Sequence, residues 1–267
     1  MLINGNKFEN YTYIMGILNV TPDSFSDGGV HNTLDSALYH AEKMARDGAD
    51  IIDVGGESTR PNYTKISDDE EIERVVPIIE RITKEIDLPV SIDTYKSAVA
   101  DAALGAGASL VNDIWGFKYD DRMAQIVKKH NASCCLMHNR TNAEYVNFID
   151  EVLADLQKSI NIALDAGIDK SMIMTDPGVG FAKSLEQNLE ITNKMDMLSG
   201  LGYPFLLGTS RKSMIGLTLD LPIDERLEGT LATTALAVVK GALFVRVHDV
   251  KENYRTIKMM EAILSEK

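Results

Sequence analysis

Carboxylates, amides and cations recur in this sequence where short apolar runs end. The clearest case is the stretch 175–181, Thr-Asp-Pro-Gly-Val-Gly-Phe, which follows the apolar run 172–174 and precedes a polar segment. A strand that ends on Asp176, followed by a Pro and two Gly that turn the chain, places this carboxylate at the carboxyl end of the strand. In an α/β barrel that end faces the substrate. Asp176 is therefore the first candidate for a functional group.

Other runs also end on acids or amides, at Asp53, Asp93, Asn112 and Asp113. Buried carboxylates and amides need hydrogen-bond partners, so a rim crowded with them is costly without a ligand. Asp93, Asn112 and Asp176 together offer acceptors and an amide to the edge of a flat heterocycle. A carboxylate that accepts two N–H bonds from an aminopyrimidine-like edge makes a strong, charge-assisted contact.

Cations gather after the last two runs. Arg211 and Lys212 follow the seventh run, and Arg246 and His248 close the eighth. The loops after strands seven and eight are the usual phosphate-binding place of α/β barrels. Because the chain has a net charge of −13, grouped cations indicate an anionic ligand. The alternative is that these cations are solvated and pair with neighbouring carboxylates.

Two polar loops follow the first two runs. The loop 19–29 is long for a connection between a strand and a helix and ends in two glycines. Asn19 and Asp27 suit Mg²⁺, which takes a few protein oxygens together with substrate phosphate, and Phe25 could cover an aromatic substrate. The loop 55–61 has a glycine pair, then a hydroxyl and a guanidinium. The alternative is a pair of loops without ligands of their own.

The elements that position these groups follow from hydrophobic periodicity. Eight apolar runs read as strands buried on both faces: 14–18, 51–52, 90–92, 110–111, 134–137, 172–174, 205–207 and 244–245. Helical spacing of apolar residues over 34–45, 72–82 and 149–163 predicts helices between them. Ser67 and Glu70 indicate a capping box, Pro77 predicts a kink, and glycines at 48, 107, 167, 202 and 241 predict helix ends.

Eight β units alternating with helices, without a linker, predict a single (β/α)8 TIM barrel over 14–267. Residues 1–13 form an N-terminal extension, in which Tyr11 and Tyr13 suggest a short hairpin or a plug at the bottom of the barrel. The alternative, an open doubly wound sheet, is less favoured because no Gly-rich dinucleotide fingerprint follows the first strand.

The overall composition excludes several classes of protein. The net charge of −13 argues against a nucleic-acid or anionic-membrane partner. Cys134 and Cys135 are neighbours on a predicted strand and point to opposite faces, so we expect no disulfide and a reducing, cytoplasmic location. Neither a signal peptide nor a membrane span is apparent. No zinc spacing occurs among the five His, and His138 is expected to pack or hydrogen-bond at its strand end.

Taken together, the loops resemble the dihydropteroate synthase family, folate-pathway enzymes that are the target of sulfonamide inhibitors. The motifs that carry the resemblance are, in chain order, 15–29, 53–61, 91–94, 111–113, 176–181, 209–213 and 246–249. Each motif alone is moderately specific, whereas all of them in this order are very specific. The resemblance implies a TIM-barrel homodimer that condenses 6-hydroxymethyl-7,8-dihydropterin diphosphate with p-aminobenzoate and releases diphosphate.

The resemblance also implies a role for each matching residue. The pterin is held by Asp93, Asn112, Asp176, Lys212 and Met137. The diphosphate is bound by Asn19, Arg246, Val247 and His248, with Mg²⁺ on Asn19 and Asp27. The p-aminobenzoate pocket is formed by Phe25, Thr59, Arg60, Pro61, Phe181 and Ser213. The catalytic set is Asn19, Asp93, Asp176 and Lys212.

The mechanism that the resemblance implies is dissociative: diphosphate leaves first, and the neutral aryl amine attacks the resulting pterin cation. No strong base is needed, which agrees with the absence of a nucleophile–base motif. The alternative is a pterin-binding methyltransferase that acts on methyltetrahydrofolate and a corrinoid protein. Such an enzyme has a similar barrel and pterin pocket but no reason to keep Asn19, Arg246 and His248. A homologue that only binds pterins would be expected to have lost loop residues.

Overall fold

The structure, a computed structural model, describes residues 1–20, 30–57 and 65–266, with the backbone alone for 30–33. The strands are β1 (Leu2–Ile3), β2 (Asn6–Lys7), β3 (Tyr13–Asn19), β4 (Ile51–Gly55), β5 (Val90–Asp93), β6 (Leu110–Asp113), β7 (Ser133–Met137), β8 (Ile173–Asp176), β9 (Leu206–Leu207) and β10 (Phe244–Val247). The α-helices are α1 (Val30–Asp47), α2 (Asp68–Glu85), α3 (Ser97–Gly105), α4 (Met123–Lys129), α5 (Phe148–Asp165), α6 (Leu185–Asn193), α7 (Ser213–Leu219), α8 (Leu227–Val239) and α9 (Val250–Ser265).

Strands β3 to β10 close into a barrel. Successive strands from β3 to β8 pair in parallel, and β10 pairs in parallel with both β9 and β3. A parallel bridge between Thr175 and Phe205 joins β8 to the start of β9, and Thr175 N donates to Pro204 O at 3.0 Å. Helices lie between successive strands. The predicted (β/α)8 TIM barrel is therefore confirmed, and the open-sheet alternative is wrong.

The side chains that fill the barrel come from alternate positions of the strands. They form one buried cluster of Met15, Ile51, Leu110, Cys135, Met174, Leu206 and Phe244, joined by Ile3 and Phe8. Residues at the intervening positions, such as Cys134, pack in a larger cluster toward the helices. Because side chains alternate with period two, positions two or four residues after a barrel-filling residue also point inward. These positions are Asn19, Asp53, Asn112, Met137, Asp176, Arg246 and His248.

The adjacent cysteines illustrate this division. Cys134 belongs to the outer cluster and Cys135 to the inner one, and both thiols are free and buried. Burial raises the pKa of both thiols well above the usual value. The cysteines are thus core residues without a disulfide between them, as predicted.

The N-terminal residues form a hairpin that covers the amino end of the barrel. β1 and β2 pair antiparallel, and Phe8 packs at 4.9 Å from the Tyr13 ring and 5.3 Å from the Phe244 ring. Tyr13 therefore packs at this end, as suggested, whereas Tyr11 is 60% exposed. The side chains that reach the inner cluster are those of Ile3 and Phe8, and the apolar surface they bury explains their position.

Helix α2 departs from its predicted start in one detail. Ser67 caps the helix by accepting a hydrogen bond from Glu70 N at 3.2 Å, but the Glu70 carboxylate pairs with Arg74. The reciprocal half of the predicted capping box is therefore not formed. The helix continues through Pro77 to Glu85. A complete capping box, between Ser184 and Gln187, opens α6 instead.

Candidate active site

The inward-facing groups at the carboxyl ends of the strands converge on Arg246. Its guanidinium donates from Nε to Asp53 Oδ2 and from Nη2 to Asp93 Oδ2, both at 2.6 Å. Asn112 Nδ2 donates to the same Asp53 oxygen at 3.2 Å. Asp53 is fully buried and the Arg246 side chain is 18% exposed. Four strands, β4, β5, β6 and β10, are thus connected at the mouth by charge-assisted hydrogen bonds.

Two acceptor atoms of this network lack a partner among the described residues. They are Asp53 Oδ1 and Asp93 Oδ1, both buried. Buried carboxylate oxygens are normally hydrogen-bonded, so these atoms are positioned to accept N–H groups of a ligand. Burial raises the pKa of Asp93 to about 7, Arg246 opposes this shift and Asp53 adds to it. The pKa of Arg246 is raised by the two carboxylates.

Asp176 stands across the mouth on β8. It is 5% exposed, and its Oδ1 accepts a hydrogen bond from Gly178 N at 2.6 Å. A Cβ atom on Gly208 would lie 3.6 Å from Asp176 Oδ2 and 3.8 Å from Arg246 Cβ. Gly208 therefore lies between the Asp176 carboxylate and the base of the Arg246 side chain. Burial raises the pKa of Asp176, while Lys212 opposes the shift.

Lys212 links this acid to an aromatic residue. Its ammonium donates to Val179 O and lies 4.8 Å from the centroid of the Phe181 ring, a cation–π distance. Burial lowers the pKa of Lys212 to about 8, with Asp176 opposing the change. The close approach depends on Gly180, whose φ is +87° and whose Cβ, if present, would lie 3.1 Å from Lys212 Cδ. The structure thus brings together Lys212, which the resemblance assigns to the pterin, and Phe181, which it assigns to the p-aminobenzoate pocket.

Asn19 and His248 lie at the ends of the neighbouring strands β3 and β10. A Cβ atom on Gly55 would be 3.6 Å from Asn19 Oδ1 and 3.8 Å from Asp93 Oδ2, so the amide and the carboxylate flank this glycine. Ser210 Oγ accepts from His248 N at 3.2 Å and lies 2.9 Å from His248 Nδ1. If the hydroxyl donates to Nδ1, Nε2 is the N–H donor of the neutral ring.

An apolar wall adjoins the polar groups. Met137 is 4% exposed and packs with Tyr95 and Ile114, against which Trp115 and Phe181 also pack. Ser213 is exposed at the first position of α7. A flat ligand held by Asp176 would have the side chains of Met137 and Phe181 within the same mouth.

Several predicted residues have surroundings that differ from the expectation. Val247 is 2% exposed and packs in the outer cluster, so only its backbone is available at the mouth. Asp113 is fully buried and accepts from Trp115 N and Phe117 N at 2.8 Å, which makes it a turn residue. Arg211 pairs with both carboxylate oxygens of Asp249. For this cation the alternative interpretation, a pair with a neighbouring carboxylate, is therefore correct.

Five predicted residues lie outside the described part of the chain: Phe25, Asp27, Thr59, Arg60 and Pro61. Conversely, Asp53 and Ser210 received no role from the sequence. The sequence places Asp53 at the rim, and the period of two puts it on the same face as the inward-facing Ile51, but neither observation identifies Arg246 as its partner. Ser210 offers no such signal, since its contact with His248 depends on the path of the loop after β9.

Comparison with known proteins identifies the family. Residues 15–248 match the family described as pterin binding enzyme. A dihydropteroate synthase of Clostridium beijerinckii is 60% identical over 95% of this chain and 94% of its own length. A dihydropteroate synthase of Clostridium difficile, crystallised in the presence of pteroic acid, superposes with a TM-score of 0.94 at 49% identity, covering 97% of this chain and 98% of that one. A Xanthomonas albilineans dihydropteroate synthase with 4-aminobenzoic acid gives a TM-score of 0.92 at 40% identity, covering 97% and 95%.

The family match begins in β3 and ends one residue beyond β10, so it includes residues of all eight barrel strands. The chain therefore belongs to the pterin-binding enzyme family, within it among the dihydropteroate synthases.

Proposed function

We propose that this chain is a dihydropteroate synthase, which joins 6-hydroxymethyl-7,8-dihydropterin diphosphate to p-aminobenzoate and releases diphosphate. The observation that carries the proposal is the convergence of Asp93, Asn112 and Asp176 at one barrel mouth beside Arg246 and Lys212. The relatives with pteroic acid and 4-aminobenzoic acid support it. The names of these relatives favour the synthase over the methyltransferase alternative.

The pterin is bound by its aminopyrimidine edge. Asp176 Oδ2 borders the space beside Gly208, and its Oδ1 is fixed by Gly178 N. The carboxylate is thus preorientated to accept N–H groups of the ligand, and such bonds are strong because the acceptor is charged. Asn112 and Asp93 Oδ1, which has no hydrogen-bond partner among the described residues, supply further polar contacts. Met137 and the Phe181 ring provide apolar surface for the bicycle.

Catalysis in this proposal is electrostatic. When the bond to diphosphate breaks, positive charge develops on the pterin, and the carboxylates of Asp53, Asp93 and Asp176 are already fixed nearby. Preorganised charges need no rearrangement as the transition state forms, which is why they lower its free energy. His248 and Asn19 lie at the adjacent strand ends and stabilise the departing anion. The amine of p-aminobenzoate then attacks as the neutral species.

Magnesium is part of the proposal. Asn19 provides an amide oxygen at the mouth, a ligand type that suits Mg²⁺ when substrate phosphates complete its shell. Within the described residues no group of three or more acids, histidines or cysteines could hold a metal. Asn19 and Asp27 would hold it, and the bound ion would neutralise charge on the leaving diphosphate.

The proposed activity is tested by measuring diphosphate release with a coupled assay. Release is expected when pterin diphosphate, p-aminobenzoate and Mg²⁺ are all present, and it should fall to background when the pterin diphosphate is omitted. Omission of p-aminobenzoate should abolish dihydropteroate formation. Failure to form dihydropteroate from the complete mixture would exclude the synthase activity.

Lys212→Ala is expected to weaken binding of both substrates, by about tenfold each. The reason is that the Lys212 ammonium contacts Val179 O and the Phe181 ring, so its loss disturbs the pterin side and the proposed p-aminobenzoate side together. Titration calorimetry at neutral pH measures both affinities. Lys170→Ala, which removes a lysine stacked on Tyr203 away from the mouth, is the matched control. Unchanged affinities in Lys212→Ala would contradict the assignment.

We also propose that two copies of the chain form a dimer through the helices α6 to α8. These helices are neighbours and expose large apolar side chains: Leu189, Leu217, Leu219, Ile223 and Val239, each between 43% and 67% exposed. Large apolar side chains exposed on neighbouring helices are the basis of this proposal, because extended apolar surface marks protein–protein interfaces. No helix of the described residues is long and apolar enough to cross a membrane, and the free cysteines agree with a cytoplasmic location.

Leu217→Asp is expected to shift the protein from dimer to monomer, because the new carboxylate would be buried without a partner at the interface. Sedimentation velocity measures the change. Val146→Asp, at a site 94% exposed in the loop before α5, should leave the dimer intact. A monomeric wild type would refute the interface.

A further inference from the structure

Lys183 folds back onto the loop that carries Asp176. Its ammonium donates to Gly178 O at 2.9 Å and to Phe181 O at 3.0 Å, and lies 2.9 Å from His138 Nδ1. These partners are two backbone carbonyls and the His138 ring, and none of them is a side chain that was assigned to substrate. One ammonium therefore connects two carbonyls of the 176–181 loop to the end of the neighbouring strand β7.

His138 is the fixed partner in this arrangement. Its side chain is fully buried, and burial together with Lys183 lowers its pKa to about 3, so the ring is neutral at physiological pH. An ammonium can only donate, hence Nδ1 accepts and Nε2 carries the ring proton, 3.5 Å from Asp155 Oδ2. The expectation that His138 hydrogen-bonds at its strand end agrees with this geometry.

The backbone of the 176–181 loop lies tightly against the end of β7, and the position of this backbone determines where the side chains of the loop lie. Gly178 has φ of +69°, and a Cβ atom on it would lie 1.9 Å from His138 O. Gly178 N is the donor to Asp176 Oδ1, and Val179 O accepts from Lys212. A displacement of this backbone would therefore move Asp176, Lys212 and Phe181 together.

We propose that Lys183 is a positioning residue, which fixes the 176–181 loop and through it the Asp176 carboxylate and the Phe181 ring for substrate binding. The proposal rests on the proposed function, because it assigns Lys183 to the pterin site of that reaction. It predicts a loss of pterin affinity on substitution, without any contact between Lys183 and the pterin.

Charge makes this support dependent on pH. Burial lowers the pKa of Lys183 to about 7, the cations Lys212, Lys118 and Arg140 lower it further, and Asp176 opposes them. The protonated amine has three N–H donors for its three acceptors, whereas the neutral amine has two. Positioning should therefore be complete below a pH of about 7 and weaken above it.

The test is the pH dependence of pterin affinity in Lys183→Met, compared with wild type and Lys118→Met. Methionine keeps the unbranched shape but donates no hydrogen bond. Lys118 is the matched control because it is partly buried and close to His138 but contacts Asn139 O outside the loop. Calorimetry with 6-hydroxymethyl-7,8-dihydropterin diphosphate and Mg²⁺ gives Kd from about pH 6 to about pH 9.

In Lys183→Met, Kd is expected to rise about tenfold at the acidic end, and the rise of the wild-type Kd across neutrality should be reduced. Lys118→Met should keep the wild-type Kd at the acidic end, with its rise moved to higher pH because Lys118 lowers the pKa of Lys183. A wild-type Kd and profile in Lys183→Met would overturn the proposal, as would equal losses in both variants. If Lys183→Met does not fold, Lys183→Gln, which is uncharged at every pH, should show the same higher Kd at acidic pH and the same reduced rise, and a wild-type Kd profile in this variant would overturn the proposal. Failure of wild type to bind the pterin would instead refute the proposed function.

Discussion

Asp93→Asn is expected to lower kcat by about 10²–10³-fold, the usual cost of removing one preorganised electrostatic contact. The amide can still accept a hydrogen bond from Arg246 Nη2, so the geometry of the mouth is preserved. What is lost is the negative charge beside the developing pterin cation. Steady-state kinetics with saturating substrates gives kcat, and Asp101→Asn, which changes a surface acid paired with Lys129, is the control.

The stability of Asp93→Asn separates this electrostatic effect from a folding defect. The pKa of Asp93 is raised to about 7 in the folded protein, above its ordinary value. The folded state therefore binds this proton more tightly than the unfolded state, and ionisation of Asp93 costs stability as pH rises from about 4 to about 7. The variant lacks this cost, so at neutral pH it should be at least as stable as wild type. Near-wild-type kcat, or a large loss of stability, would contradict the assignment.

Arg246→Met is expected to lower the free energy of unfolding by about 3–5 kcal/mol, because it leaves two buried carboxylates without their cation. Both Asp53 Oδ2 and Asp93 Oδ2 accept from this guanidinium. Urea unfolding near pH 8 measures the loss. Burial raises the pKa of Asp93 to about 7, so this carboxylate takes up a proton at acidic pH and the loss should shrink there.

Arg211→Met is the matched control for stability. Arg211 also pairs with a carboxylate through two nitrogens, but its side chain is 36% exposed, and exposed pairs contribute about 1 kcal/mol or less. Adding Asp53→Asn to Arg246→Met should recover part of the stability, since it removes one of the unpaired charges. An Arg246→Met protein as stable as Arg211→Met would show that the network does not hold the barrel mouth together.

The barrel could be predicted from the sequence because each strand is a short apolar run followed by polar residues. Runs such as 51–52 and 244–245 fix which residues are buried, and the period of two then fixes which face each later residue takes. The same rule would have shown that Val247, between the inward-facing Arg246 and His248, directs its side chain outward. The diphosphate-binding role that the resemblance implies for Val247 stays a prediction, and it would have to be filled by the backbone of this residue.

The partners of the charged groups could not be predicted in this way. The alternation of side chains along β10 places Arg246 inside the barrel. Its pairing with Asp53 and Asp93 depends instead on the curvature that brings β10 close to β4 and β5. The contacts of Lys183 likewise depend on the turn at Gly178, which the sequence marks only as glycine-rich. The incomplete capping box at Ser67 has a similar cause. The Glu70 carboxylate pairs with Arg74 one turn later and not with the backbone N–H of Ser67.

The central claim is that the acids and the amide at the barrel mouth hold the pterin, with Asp176 at its aminopyrimidine edge. A crystal structure of the protein with 6-hydroxymethyl-7,8-dihydropterin diphosphate tests it most directly. The expected result is a pterin whose N–H groups lie about 2.7–3.0 Å from the Asp176 carboxylate, with its phosphates toward His248. A pterin bound with full occupancy away from Asp176 would contradict the account.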